Sequence, residues 1–199
     1  MNPNYGPRSR REEILELAVE LFAARGYHGV SMDDIGARAH ITGPALYHHF
    51  KGGKEAMLAE ALNPVSRRLL EGGRKHAAEH RDDPRAAVAA LVEFHVDFAL
   101  TSPAVIALQL HELDRLPEEP RREIRRLQRA YVEEWVTVLR QLRPELSDEA
   151  ARVLAHAGFG LMNSTPFLRR ETPTDRAETA RILTEAALSA LDPTYDRIR

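Results

Sequence analysis

The sequence predicts an all-α protein with an N-terminal three-helix domain (residues 1-53) and a larger helical domain (residues 54-199), about nine helices in all. Three observations predict it. Apolar residues recur at helical spacing through most of the 199 residues. Capping residues such as Ser9, Ser31 and Ser147 stand at the starts of these stretches, and Gly or Pro stands at several of their ends. The stretch SMDDIGARAHITGPALYHHF, Ser31 to Phe50, reads as two short helices at a sharp turn.

Ser9 to about Arg25 forms the first helix, with Ile14, Leu17, Ala18 and Leu21 on one face and Gly26 ending it. Ser31 caps the second, with Asp34 three residues on. His40 and Ile41 make the turn, and Thr42 caps a third helix with Pro44 in its first turn. Leu46 and Phe50 share a face and turn inward. Gly43, Pro44, Ala45, Tyr47 and His48 are left outward, where a slim helix start can approach a DNA groove; Tyr47, His48 and His49 can donate to phosphates. Arg8, Arg10 and Arg11 read either as a basic arm or as a solvated tail.

A fourth helix begins near Lys54, its N-terminus suited to a phosphate. Asn63-Pro64 predicts a kink or a restart there, and the pattern then runs to about His80. Four more helices follow, at about 84–100, 103–114, 121–142 and 147–169. Thr174 caps a last helix to about Leu191. Ala180, Leu183, Ala187 and Ala190 fall at 3-4-3 spacing along it, which lets another helix pack closely. With Leu154, Gly158 and Leu161 of the preceding helix they predict an intermolecular four-helix bundle, hence a homodimer.

The first sixty residues resemble the TetR family of bacterial repressors. ILELAVELFAARGYHGVSMDDIGARA and LYHHFKGGKEAML carry the resemblance over residues 10 to 62; beyond about residue 65 only helix order is shared. Gly52 and Gly53 both intervene between Lys51 and Lys54, where the family usually has one residue, and Asp33 stands at an often basic position. The resemblance implies a homodimeric repressor, with a palindromic DNA operator as one partner and a small-molecule effector as another. It implies DNA contacts from Ser31, Thr42, Gly43, Pro44, Ala45, Tyr47, His48, His49, Lys51 and Lys54. Some relatives bind acyl-CoA thioesters. An effector that is acyl-CoA-like or otherwise hydrophobic is expected, in a ligand-binding and dimerisation domain.

Composition narrows the alternatives. Net charge is −2, so DNA binding must be local. There is no cysteine, hence no disulfide and no thiolate metal site. No apolar leader or run of membrane-spanning length is visible, so a soluble, cytoplasmic bacterial protein with no membrane partner is expected. No cofactor loop is visible. The H-x-x-E-H string at His76, Glu79 and His80 lies at a polar helix end without a third ligand, and reads as a solvated terminus rather than an enzyme's zinc site. Pocket candidates are His95, Phe98, His111, Tyr131, Trp135, Phe159, Met162 and Asn163, polar tips and aromatic faces on apolar helices. A metal shared by His95, His111 and His156 is the lesser alternative. The arginines from Arg121 to Arg129 read as a solvated face, with ligand phosphates as the alternative.

Overall fold

The computed structural model describes residues 9–168 and 175–195. These residues form α1 (Arg10–Arg25), α2 (Met32–Ala39), α3 (Gly43–His49), α4 (Gly53–Glu79), α5 (Pro84–Thr101), α6 (Pro103–His111), α7 (Glu118–Leu142), α8 (Asp148–Met162) and α9 (Arg176–Leu191). The described residues contain no strand. None of their helices is by itself long and apolar enough to cross a membrane.

The starts of α1 and α2 follow from their caps. Ser9 and Ser31 each accept from the N–H three residues on, while Glu12 and Asp34 reach back to the cap N–H. His40 then takes a left-handed conformation (φ 54°), which turns the chain sharply into α3. Thr42 occupies the cap position of α3, but its hydroxyl caps nothing. Thr174 lies outside the described residues; the cap of α9 is Asp175, accepting from Glu178 N–H.

Helix α4 is continuous. Its 27 residues extend about 40 Å at 1.5 Å per residue. Pro64 neither ends nor restarts it, contrary to one of the two expectations. Pro64 is exposed, so the missing backbone bond falls on the solvent side. The opposite side is held on both flanks of the proline: Met57, Leu58 and Leu62 enter the N-terminal core, and Leu69 and Leu70 enter the second core. That packing outweighs a penalty of about 3 kcal/mol for an interior proline.

Two cores result. One gathers Ile14, Ala18, Phe22, Ile35, Leu46 and Phe50 with α4, and also draws in Leu108, Leu116 and Ile124 from α6, the following loop and α7. The other is built by α4, α5, α7, α8 and α9 around Leu91, Trp135 and Leu139. Glu112, at the end of α6, accepts a hydrogen bond from Tyr27 N–H at 3.1 Å. The hydrogen bond thus ties the α1–α2 link to the end of α6 within the first core, 85 residues apart in sequence.

Candidate functional site

The N-terminal helices present α3 as a one-sided element. Leu46 is fully enclosed, while Tyr47 is 51% exposed and Thr42, Pro44, Ala45 and His48 face solvent. His49 is half-buried, and Lys51 is exposed just beyond the helix. A slim start followed by outward Tyr and His suits entry into a groove with flanking phosphate contacts.

Three expected DNA contacts are otherwise engaged. Lys54 Nζ donates to Tyr27 O at 2.9 Å and Val30 O at 2.6 Å, and lies 4.4 Å from the centre of the Tyr27 ring. The paired glycines explain this: Gly53 adopts φ 62°, so Lys54 enters the helix pointing at the α1–α2 link. Lys54 ties that link shut instead of reaching outward. The Ser31 hydroxyl is held by Asp34. Gly43 is half-buried, its Cα so near Asp33 that an added Cβ would stand 3.2 Å from Oδ1. Arg10 and Arg11 are also taken up internally, Arg10 by Glu13 and Ala39 O, Arg11 by Glu60 and the Phe50 ring. Arg8 lies outside the described residues.

The second core opens into a cavity of about 510 Å³. His95, Tyr131, Phe159 and Asn163 line it, as expected from sequence. Phe98, Trp135 and Met162 do not: they are buried in the packing behind its wall. His111 is exposed at the end of α6 and lies outside the cavity. The three histidines do not converge: His95 is buried and His156 is exposed at the rim. No group of three or more His, Cys, Asp or Glu side chains among the described residues could hold a metal. Sequence reasoning missed Leu69, Gln109, Leu110, Gln128, Val132, Gly160 and Phe167. Gln128 carried a signal, since it stands three residues before Tyr131 on the same face of α7.

A polar chain runs through the wall. Asn163 Oδ1 lies 3.0 Å from His95 Nε2, and Tyr131 Oη lies 3.1 Å from His95 Nδ1. Facing an oxygen, Nε2 carries the proton, so Nδ1 accepts from the Tyr131 hydroxyl. Helix α4 makes room at Gly73, where a Cβ would stand 2.5 Å from Tyr131 Cε2. Burial holds His95 neutral, pushing its pKa down to about 4 against a smaller opposing effect of the Asn163 hydrogen bond. Burial likewise raises that of Tyr131.

The His95 shift predicts a pH effect. The unfolded chain protonates His95 below about pH 6.5, whereas the folded chain resists until about pH 4. Stability is therefore fully present above pH 6.5 and falls as pH drops toward 4, by about 2 kcal/mol at pH 5. Urea midpoints at pH 7 and pH 5 check this, and His95→Leu should flatten that part of the profile.

The residues expected at a dimer face differ in exposure. Gly158 packs against Leu191 of its own protomer, and Ala187 is fully enclosed there. Leu154, Ala180 and Leu183 are half-buried, and Leu161 and Ala190 are exposed. Outward apolar residues include Val153, Ala157 and Leu161 on α8, with Ile182, Ala186 and Ala190 on α9.

Residues 14–61 match the bacterial regulatory proteins of the tetR family, and residues 81–191 match a tetracyclin repressor-like C-terminal domain. The chain belongs to the TetR family. It is 38% identical over 89 residues to the HTH-type transcriptional activator FasR of Mycolicibacterium smegmatis, covering 45% of this chain and 40% of FasR. It is 33% identical over 135 residues to the HTH-type transcriptional repressor KstR2 of Rhodococcus jostii, covering 67% of this chain and 65% of KstR2. The matches thus span less than two thirds of either curated relative. A solved TetR-family regulator from Bordetella parapertussis superposes with a TM-score of 0.82 at 27% identity, covering 94% of this chain and 96% of that one. This TetR protein is a DNA-binding transcriptional regulator, and its relatives are regulators rather than enzymes.

Proposed function

We propose that this regulator is a repressor that binds a palindromic operator as a homodimer and is released when a largely hydrophobic small molecule enters the cavity. The observation that carries the reading is the pairing of a one-sided α3 with a cavity bordered by Leu69 of α4, the helix that leaves the N-terminal core. A ligand pressing on α4 and α7 has a rigid path to the reading head. The apolar faces of α8 and α9 support dimerisation, which would space two copies of α3 about one DNA turn, roughly 34 Å, apart.

The mouth of the cavity supports an acyl-CoA-like effector. Gln128, Val132 and His156 border both the cavity and a second groove lined by Arg125, Arg129, Glu133 and Arg152, where Arg152 is paired with Glu133 at 2.8 Å. Arg125 and Arg129 continue into a third hollow with Arg121 and Arg122. A phosphate-bearing head on these arginines and an apolar tail in the cavity would use both halves.

Footprinting on the gene's own upstream region tests the DNA half. Tyr47→Ala is expected to weaken operator binding on the order of tenfold, with the melting temperature unchanged, because it removes a contact and no core packing. Wild-type affinity across a salt titration would overturn the assignment of α3.

A further inference from the structure

We propose that the enclosed part of the effector is uncharged and presents a carbonyl oxygen to Asn163 Nδ2. The inference rests on reading the cavity as the effector site and names what that site recognises.

The lining contains no Asp, Glu, Lys or Arg. A carboxylate or an ammonium buried there would lack an opposite charge. The polar wall is already committed in one direction: Tyr131 donates to His95, and His95 donates to Asn163 Oδ1. That leaves the Asn163 amide nitrogen, which makes no hydrogen bond among the described residues, bordering the cavity with its two N–H donors. With Asn163 Oδ1 toward His95 Nε2 and the Tyr131 hydroxyl toward Nδ1, each contact along the wall has one donor and one acceptor. An in-plane carbonyl oxygen satisfies such a donor and brings none of its own. A hydroxyl can accept from the same amide but must also place its own proton, and Asn163 Oδ1 beside it already takes the His95 proton on one of its two lone pairs. Asn163 is therefore a specificity residue, with His95 and Tyr131 holding it in register.

Matched probes test the proposal on the full-length protein. The single tryptophan, Trp135, packs 5.1 Å from the Phe159 ring, between centroids, and its fluorescence reports occupancy of the cavity. 2-Undecanone is expected to bind about tenfold more tightly than undecane, and more tightly than 2-undecanol, as one extra hydrogen bond allows. Asn163→Asp keeps an oxygen toward His95 Nε2 and replaces the amide donor with an acceptor, so it should erase the preference for the ketone. Asn163→Leu should erase it too while retaining undecane binding, which separates recognition from misfolding. Equal binding of ketone and alkane by the wild type would overturn the proposal and leave the cavity as the effector site. A ketone preference surviving in both variants would do the same. Binding of none of the three probes would overturn the cavity reading along with the proposal.

Discussion

Leu46→Ala is expected to unfold the reading head. Leu46 is fully enclosed between α3 and the core formed by Ile14, Phe22, Ile35, Phe50 and Met57. Truncating such a leucine costs about 3 kcal/mol, from lost transfer energy and the remaining cavity. The reading head is small, and α3 has only seven residues and no side-chain cap, so little else holds it in place. The expected result is a lower melting temperature together with loss of operator binding. Tyr47→Ala, one residue on, should weaken binding without lowering the melting temperature. Thermal melts of the two variants, followed by circular dichroism, decide the point. A Leu46→Ala protein as stable as the wild type would mean that α3 is not packed as described.

The second large effect concerns assembly. Val153 is 66% exposed and Ile182 is 47% exposed, on adjacent helices of one face. If that face meets its copy across a two-fold axis, the double variant Val153→Arg, Ile182→Arg would bury four unpaired guanidinium groups, at several kcal/mol each. Monomers with an unchanged helical content are expected by light scattering. Ala187 cannot serve for this test, although its spacing along α9 makes it look like an interface residue. It is fully enclosed within its own protomer, so a charge there would attack the fold before the dimer. A double variant that stays dimeric would exclude the α8–α9 face.

Helix placement was legible because it depends on local chemistry. Ser9, Ser31 and Ser147 cap the helices they precede. The inward face of α3 followed from the four-residue spacing of Leu46 and Phe50. Rotational register on an all-round apolar helix was not legible. In α9 several faces are apolar, and the partners of Ala187 and Leu188 come from elements far away in sequence. Lys54 shows a different limit. Its charge suggested a phosphate, but its direction is set by the positive φ of Gly53 and by two carbonyls in the α1–α2 link. In the cavity, His95, Tyr131, Phe159 and Asn163 were recognisable as polar or aromatic positions on apolar helices. Trp135 looked equally suitable, yet it is fully enclosed. Spacing along a chain shows which residues turn inward, not which of them stop at a wall.

The seam between the N-terminal helices and the chain's second half bears on how such a protein can be recombined. Leu108, Leu116 and Ile124 belong to the chain's second half but complete the core of the reading head, and Glu112 satisfies the buried-side N–H of Tyr27. A cassette cut after residue 53 would carry the recognition helix away from these groups and from α4, leaving apolar surface bare and a donor unmatched. Grafting this reading head onto another effector domain therefore means transplanting the seam as well: the host must supply equivalents of Leu108, Glu112, Leu116 and Ile124 at the same places.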